Sequence, residues 1–581
     1  MLLGTHGGRP SADLSDESQL EDGNCARSSG RTCATPRITS APRMSLSATT
    51  RSAYPTLCGF LEHSDLSYHY EIDIHNVRSA LLEWYRLNRR HLPWRGDAPP
   101  YNGSTAGIIS ASRSDKIAAP VTATRPPPRA LAVSPYAIWV SEIMCQQTRI
   151  EAVIPYWLAW MEAFPSVEAL AAASEEEVNA KWAGLGFYRR AKMLHDGSKQ
   201  VIREFNGSLP TSVEELMQIK GIGRYTAGAI ASISHGIPAP VVDGNILRVL
   251  SRLCAIAANP RENAFCADGK LAWTLAKHLV EAGGGAHPGE LNQALMELGA
   301  TYCSPGGTGV DVRDPLAAFY RTAAIGRDAY AAHQAGILTR ILDETDAVSA
   351  TNSQGKQCQG LHQCPACAKG ADMVLDGLRS IADGAAADAD AAAAIVHGLL
   401  PLPVQKKARR EERLAVAALY RAAIPALNSL DTVETDIKTE ALHWLLVKRP
   451  DGGLLAGQWE FPQVLVAEGK AGLPPDPGAE IRAAAVSRAI VAAGIAMKEP
   501  DSRAALLEPL EHVFSHVRHT MHVEYAFLDA AASQSEKAWS TEPWTMGGRT
   551  YCWMDEQRMS KIGVTAGVLK VISAVYSSMS G

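Results

Sequence analysis

This chain has no excess of positive charge. Lysine and arginine number 56 against 61 aspartates and glutamates, for a net charge of -5. A globally basic nucleic-acid-binding protein is therefore excluded, and any nucleic-acid contact must come from a local basic surface. No apolar run approaches the roughly 18 residues of a membrane-spanning helix, and the N-terminus lacks a secretory core. Asp13, Asp16, Glu17, Glu21 and Asp22 also argue against an acid-poor mitochondrial transit peptide. The stretch 44–51, opening at Met44, has no acid and leaves an internal start with organelle targeting open. The eleven cysteines cannot all pair, and several are close together. That pattern favours metal ligation and free thiols over a secreted disulfide framework. At 581 residues and 46% hydrophobic content, a globular protein of about three domains is expected.

Composition divides the chain. Residues 1–70 are rich in Ser, Thr, Gly and Arg and read as disordered. Val77, Leu81, Trp84 and Tyr85 fall at helical spacing, and that helix ends near Leu92-Pro93-Trp94-Arg95. Residues 96–134 read as an insertion looping out of a helical domain that spans 71–302. Within it, Thr211-Ser212-Val213-Glu214 has capping-box spacing. Residues 303–370 form a cysteine-bearing region whose long insertion, 304–357, is expected to be partly helical. Residues 371–412 read as a low-complexity linker, Ala- and Asp-rich over 380–396. From 413 to 581 the apolar period shortens to strands, with a turn at Asp451-Gly452 and a last helix near Gly563 to Tyr576. The fold class is multidomain: an all-α domain followed by an α/β domain.

Three constellations carry chemistry. The first is the run 135–148, where Glu142 is the one carboxylate in apolar text and Gln146 lies one helical turn on. A lone carboxyl in apolar surroundings keeps its proton to higher pH, which suits a general acid. The plain alternative is an amphipathic helix with one exposed Glu. The second is Ile219-Lys220-Gly221-Ile222-Gly223-Arg224-Tyr225, a hairpin between two helices. Its glycines let backbone approach a ligand, and the following helix N-terminus suits a phosphate. The plain alternative is a helical hairpin that needs glycine. The third is Asp243-Gly244-Asn245, where Asp243 is either a helix cap or a second carboxylate near Glu142.

Their order and spacing, with Trp182-Ala183-Gly184-Leu185-Gly186-Phe187-Tyr188 and Asn292-Gln293-Ala294-Leu295-Met296-Glu297, resemble the endonuclease III superfamily. Within it, the resemblance is to the MutY adenine DNA glycosylases. It implies a helix-hairpin-helix glycosylase domain acting in base excision repair on a flipped-out base. Glu142 would protonate adenine at N7, Asp243 would stabilise the oxocarbenium-like sugar, and Tyr225 would help hold the site. Gln146, Gln147, Phe187 and Tyr188 would wedge the duplex, where the family more often has Tyr at the place of Phe187. Gly221, Gly223, Arg224 and Asn245 complete the candidate DNA-binding set. Family members that are also lyases carry a lysine at the place of Tyr225, so a monofunctional hydrolytic enzyme is expected. The rivals are a bifunctional glycosylase-lyase and a non-catalytic DNA-binding scaffold.

The family usually ligates a [4Fe–4S] cluster through Cys-x6-Cys-x2-Cys-x5-Cys, and Cys303 stands in the first place. Cys358, Cys364 and Cys367 follow only after the insertion. They either complete the cluster with Cys303, form a zinc site like that of animal members of the family, or bind no metal. In the C-terminal half, Gly457-Gln458-Trp459-Glu460-Phe461-Pro462 and His512-Val513-Phe514-Ser515-His516 resemble the family's Nudix-like domain. The resemblance implies that Phe514, Ser515 and His516 recognise 8-oxoguanine; a satisfied histidine at a hairpin corner is the plain alternative. Residues 481–496 hold no carboxylate, so the magnesium cluster of a working Nudix hydrolase is not expected. The expected partner is duplex DNA with adenine opposite 8-oxoguanine or guanine, alongside other repair proteins. The expected state is a monomer in the nucleus, with mitochondrial import left open.

Overall fold

The computed structural model describes residues 46–102, 133–261, 265, 270–350, 360–404, 409–422, 442–450 and, with short breaks, most of 452–580. The 96–134 insertion lies largely outside the described residues, as does Asp451 of the expected turn. No described helix is long and apolar enough to cross a membrane.

The first half is helical, as its periodicity implied, and packs around two apolar cores. One gathers Trp94, Trp139, Trp160, Trp182 and Leu216. The other gathers residues far apart in sequence, including Leu57, Leu81, Val249, Leu298, Ala329, Leu378 and Val396. The helix Pro135–Met144 buries Ile138, Trp139, Val140 and Ile143 in the first core. The helix Gly244–Leu253 buries Ile246, Val249 and Leu250 in the second. Glu142 and Asp243 therefore stand where the two cores face each other.

Two expectations are corrected here. Residues 48–70 are helical: Ala48–Ala53, Pro55–Glu62 and Ser67–Tyr70 are helices, with Leu57, Phe60 and Leu61 fully buried. Apolar burial outweighs the polar composition that read as disorder. Residues 371–399 are also not linker. Ala371–Ala382 and Ala389–Leu399 are helices, the latter capped by Asp388. Its alanines let it lie close to the helix Arg321–Gln334. A Cβ on Gly326 would come within 2.4 Å of the Ala392 carbonyl oxygen. The region 304–357 contains that helix and Leu338–Ala350.

The second half is a mixed sheet between two helices. Its strands are β1 Arg410–Arg421, β2 His443–Lys448, β3 Trp459–Glu460, β4 Gln463–Gly469, β5 Ser502–Ala505, β6 Leu510–Val513, β7 Val517–Phe527, β8 Trp544–Met546 and β9 Arg549–Met554. The order is β5-β7-β1-β2-β9-β8, and β1 and β7 run parallel. Alternation along β1 sends Leu414, Val416 and Ala418 to one face, against Val568, Val571 and Ile572 of the helix Ala566–Ser580. Ala417 and Leu419 go to the other, against Val486, Ala489 and Ile490 of Ala479–Ala492. That last helix carries one carboxylate, the exposed Glu480.

Candidate active site and metal centre

The carboxyl of Glu142 lines a cavity of about 830 Å³ with Tyr225, Asp243, Asn245, Gln146, Gln147 and Met296. Tyr225 is the second residue of the helix Arg224–His235 that follows the glycine hairpin, and its hydroxyl donates to Glu142 Oε2 at 2.8 Å. Burial pushes the Glu142 carboxyl up to about 7; the Tyr225 hydrogen bond opposes this, Asp243 adds to it and Arg95 opposes it. The position of a lyase lysine is thus held by a phenol whose own proton is bound well above the ordinary range, by burial and then by Glu142 and Asp243.

Asp243 is both cap and site carboxylate. One oxygen accepts from Ile246 N at 2.8 Å at the head of Gly244–Leu253, and the other from Asn245 Nδ2 at 2.9 Å. Burial raises its pKa, against the pull of those donors and of Arg248. Arg248 in turn donates to Asn245 Oδ1 at 2.8 Å and to the Gly299 and Cys303 carbonyls.

Gln146 and Gln147 follow the Glu142 helix, exposed, with Gln147 in the left-handed region at φ 56°. Phe187 is also left-handed, at φ 49°, and is 47% exposed, unusual for an aromatic ring. Tyr188 is held instead, its hydroxyl accepting from Gly184 N at 3.3 Å. The hairpin glycines differ. Gly221 has φ 87°, and a Cβ there would lie 3.0 Å from Met193 Cβ; a Cβ on Gly223 would meet nothing within 4 Å. Arg224 lies over the Trp273 ring at 4.1 Å. Phe514 occupies the β6–β7 turn, its ring 4.5 Å from His512 and 4.9 Å from His519, with the exposed His516 beside it. Ser515 lies outside the described residues.

One charged group lining the cavity was missed by sequence reasoning. Glu297 is completely buried, with Arg90 Nε at 2.6 Å and Arg95 Nη2 at 3.0 Å. Burial alone would raise its carboxyl, but Arg95 and then Arg90 outweigh that and hold it below its usual range. All three line the cavity. The signal was the one that marked Glu142: a lone acid in an apolar run, Ala294-Leu295-Met296-Glu297-Leu298.

The expected metal set is corrected. Cys364 and Cys367 meet His63 and His69, not Cys303, and the four ligand atoms lie within 4.8 Å of one another. Cys358 lies outside the described residues. His69 Nε2 is 3.4 Å from Cys364 Sγ and 3.5 Å from Cys367 Sγ. With metal–nitrogen and metal–sulfur bonds of about 2.0 and 2.3 Å, tetrahedral geometry puts such ligands about 3.5 Å apart. Each imidazole turns Nδ1 to a backbone carbonyl, His63 to Phe60 at 2.6 Å and His69 to Cys254 at 2.9 Å, leaving Nε2 to ligate. His63 Nε2 is buried without a hydrogen-bond partner, as an atom reserved for an ion would be. The Cys367 thiol, then His63 and His69, lower the Cys364 pKa and favour the thiolate. These donors fit one tetrahedral ion. They do not fit a four-iron cluster, which takes four thiolates where this group offers two. The long sequence separation hid the histidines, which fall in text that read as disordered.

Residues 140–272 match the model of the HhH-GPD superfamily of base excision DNA repair proteins, and 437–574 that of the NUDIX domain. The chain is 32% identical to the adenine DNA glycosylase of Mus musculus over 88% of this chain and 80% of that one. It is 30% identical to that of Schizosaccharomyces pombe over 80% and 84%. With the Homo sapiens adenine DNA glycosylase it shares 34% identity over 70% of this chain and 61% of that one. A carboxylic acid lining a large cavity, a glycine hairpin beside it and this degree of likeness over both halves lead to one conclusion: the chain is a DNA glycosylase and belongs to the adenine DNA glycosylase family.

Proposed function

We propose that this chain is a monofunctional glycosylase that removes adenine opposite 8-oxoguanine, or opposite guanine, from duplex DNA. The observation that carries this is the Glu142 carboxyl, raised to about 7 by burial and held by Tyr225 with Asp243 nearby. At neutral pH Glu142 can give its proton to N7 of an everted adenine. The bond from C1′ to the base then breaks, and its electron pair leaves with the base. Asp243 faces the positive charge that develops on the sugar, which itself favours the carboxylate form. Water adds to C1′ and loses a proton, leaving an abasic site. No amine stands at Tyr225 to form a Schiff base, so the lyase reading has no nucleophile there.

Phe187 is the wedge best placed to enter the stack, by its exposure and left-handed backbone, with Gln146 and Gln147 at the cavity mouth. Gly221, Gly223 and Arg224 offer the phosphate seat. The Phe514 turn, with His516, is the reader of the opposite base. The His63, His69, Cys364 and Cys367 group holds zinc, by its ligand set. Four protein ligands leave no open position, so the ion is structural and supplies no step of the reaction.

The test is single-turnover adenine release from a duplex with adenine opposite 8-oxoguanine. Glu142→Gln is expected to lose about 10³-fold or more in rate with DNA binding retained. A rate equal to wild type overturns the assignment.

A further inference from the structure

Cys303 points into a network of side chains rather than toward other thiols. Its Sγ takes a hydrogen bond from Arg252 Nη1 at 3.6 Å and interacts with the Tyr320 hydroxyl oxygen, whose own proton goes to Asp314. Arg252, 1% exposed, also donates to Leu400 O at 2.8 Å, Ser304 O at 2.7 Å and Pro305 O at 3.3 Å. Tyr320 reaches Asp314 Oδ2 at 3.0 Å, and Asp314 Oδ1 accepts from Leu316 N at 2.8 Å. Thr322 donates to the Arg252 carbonyl and meets His397 Nδ1, both at 3.0 Å. The backbone is drawn down tightly here: a Cβ on Gly307 would sit 2.1 Å from Tyr302 O, and one on Gly309 2.4 Å from His397 Nδ1. No cysteine occurs between Ser304 and Gln357.

This network ends on the catalytic carboxylate. The Cys303 carbonyl accepts from Arg248 Nε at 2.8 Å, Arg248 holds Asn245, and Asn245 holds Asp243. We propose that Arg252, Asp314, Tyr320 and Thr322 form a metal-free latch in the place where the resemblance puts an iron–sulfur cluster, and that the latch positions Asp243. The chain is then a glycosylase that works without a cluster, with Tyr320 and Arg252 as positioning residues. The inference rests on the role given to Asp243 above.

The test uses the full chain, produced with excess iron under anaerobic conditions. Iron and acid-labile sulfide analysis is expected to find no cluster in active protein; about four irons per chain overturns the proposal. Cys303→Ser is expected to leave the iron and sulfide content unchanged, whereas loss of bound iron in that variant relative to wild type overturns the proposal. Tyr320→Phe removes one hydroxyl and is expected to slow single-turnover excision roughly fivefold, with DNA affinity held. Its acid limb in the rate–pH profile should move to higher pH, because a looser Asn245 lets Asp243 take a proton more easily. A lowered Tm with an unchanged profile would make Tyr320 merely structural and overturn the latch. Asp243→Asn separates the two readings. If that variant keeps full activity, the mechanism fails. If it is inactive while Tyr320→Phe behaves as wild type, the latch alone fails.

Discussion

Glu142 and Tyr225 form one acid between them. Burial raises the carboxyl to about 7, and the phenol's hydrogen bond pulls it back down. In the proposed role Glu142 works protonated, so on the alkaline side of the profile the excision rate falls as pH rises through about 7. Tyr225→Phe removes the group that favours the carboxylate, so Glu142 should keep its proton to higher pH. The alkaline fall in single-turnover rate is expected to move upward by up to about one pH unit. An unmoved midpoint would mean that the phenol does not hold the acid in the reacting complex. Glu142 could be picked from the sequence because isolation in apolar text already says that a carboxyl is desolvated. Asp243 could not be resolved in the same way, because capping and charge stabilisation ask for the same residue at the same helix start. The structure shows the cap and sets the same carboxyl on the cavity that Glu142 lines, so one residue is placed for both.

At the scale of elements, the hairpin was legible from its pair of glycines, and the two serve differently. Gly221 needs the left-handed region at φ 87° and has Met193 Cβ 3.0 Å from where its own Cβ would be. Gly221→Ala is expected to cost about 1–3 kcal/mol of stability and to distort the phosphate seat. Gly223 has open space on that side. Gly223→Ala should keep its Tm yet weaken binding to an abasic-site duplex, since the added methyl would stand on the side proposed to meet phosphate. Thermal melting and fluorescence anisotropy separate the two, and a Gly223→Ala protein that binds as wild type would remove the hairpin from the interface. The capping box shows a smaller ambiguity. Thr211 and Glu214 had the spacing, but Ser212 caps Val213–Leu216 and pairs with Glu215, one residue on. The Ala-rich stretch misled more seriously. Low complexity in Ala389–Leu399 is what close helix packing against Gly326 requires, and nothing local distinguishes that from a linker.

At the scale of the whole molecule, the metal group ties together what the sequence keeps apart. His69 and Cys364 are 295 positions apart, and His63 follows directly on Pro55–Glu62, whose Leu57, Phe60 and Leu61 fill the second core. A cross-link over so long a stretch would restrain the unfolded chain by about 5–6 kcal/mol in the chain-entropy model. A bound ion would also give the buried His63 Nε2 a ligand bond in place of its contact with the Cys364 sulfur. Stripping it with a strong chelator, or replacing His69 by Asn, is expected to lower the Tm by roughly 5–10 °C. It should also raise hydrogen exchange in Pro55–Glu62 before the sheet domain is affected. Protons compete with the ion for imidazoles and thiolates, so its apparent affinity should weaken as pH falls. Excision measured well below the lowered Tm should stay close to the untreated rate, because a four-ligand ion has no position open to DNA or water. Elemental analysis should find one zinc per chain. Protein that carries no zinc and melts no lower after chelation would leave the two histidines and two cysteines as a buried polar cluster alone.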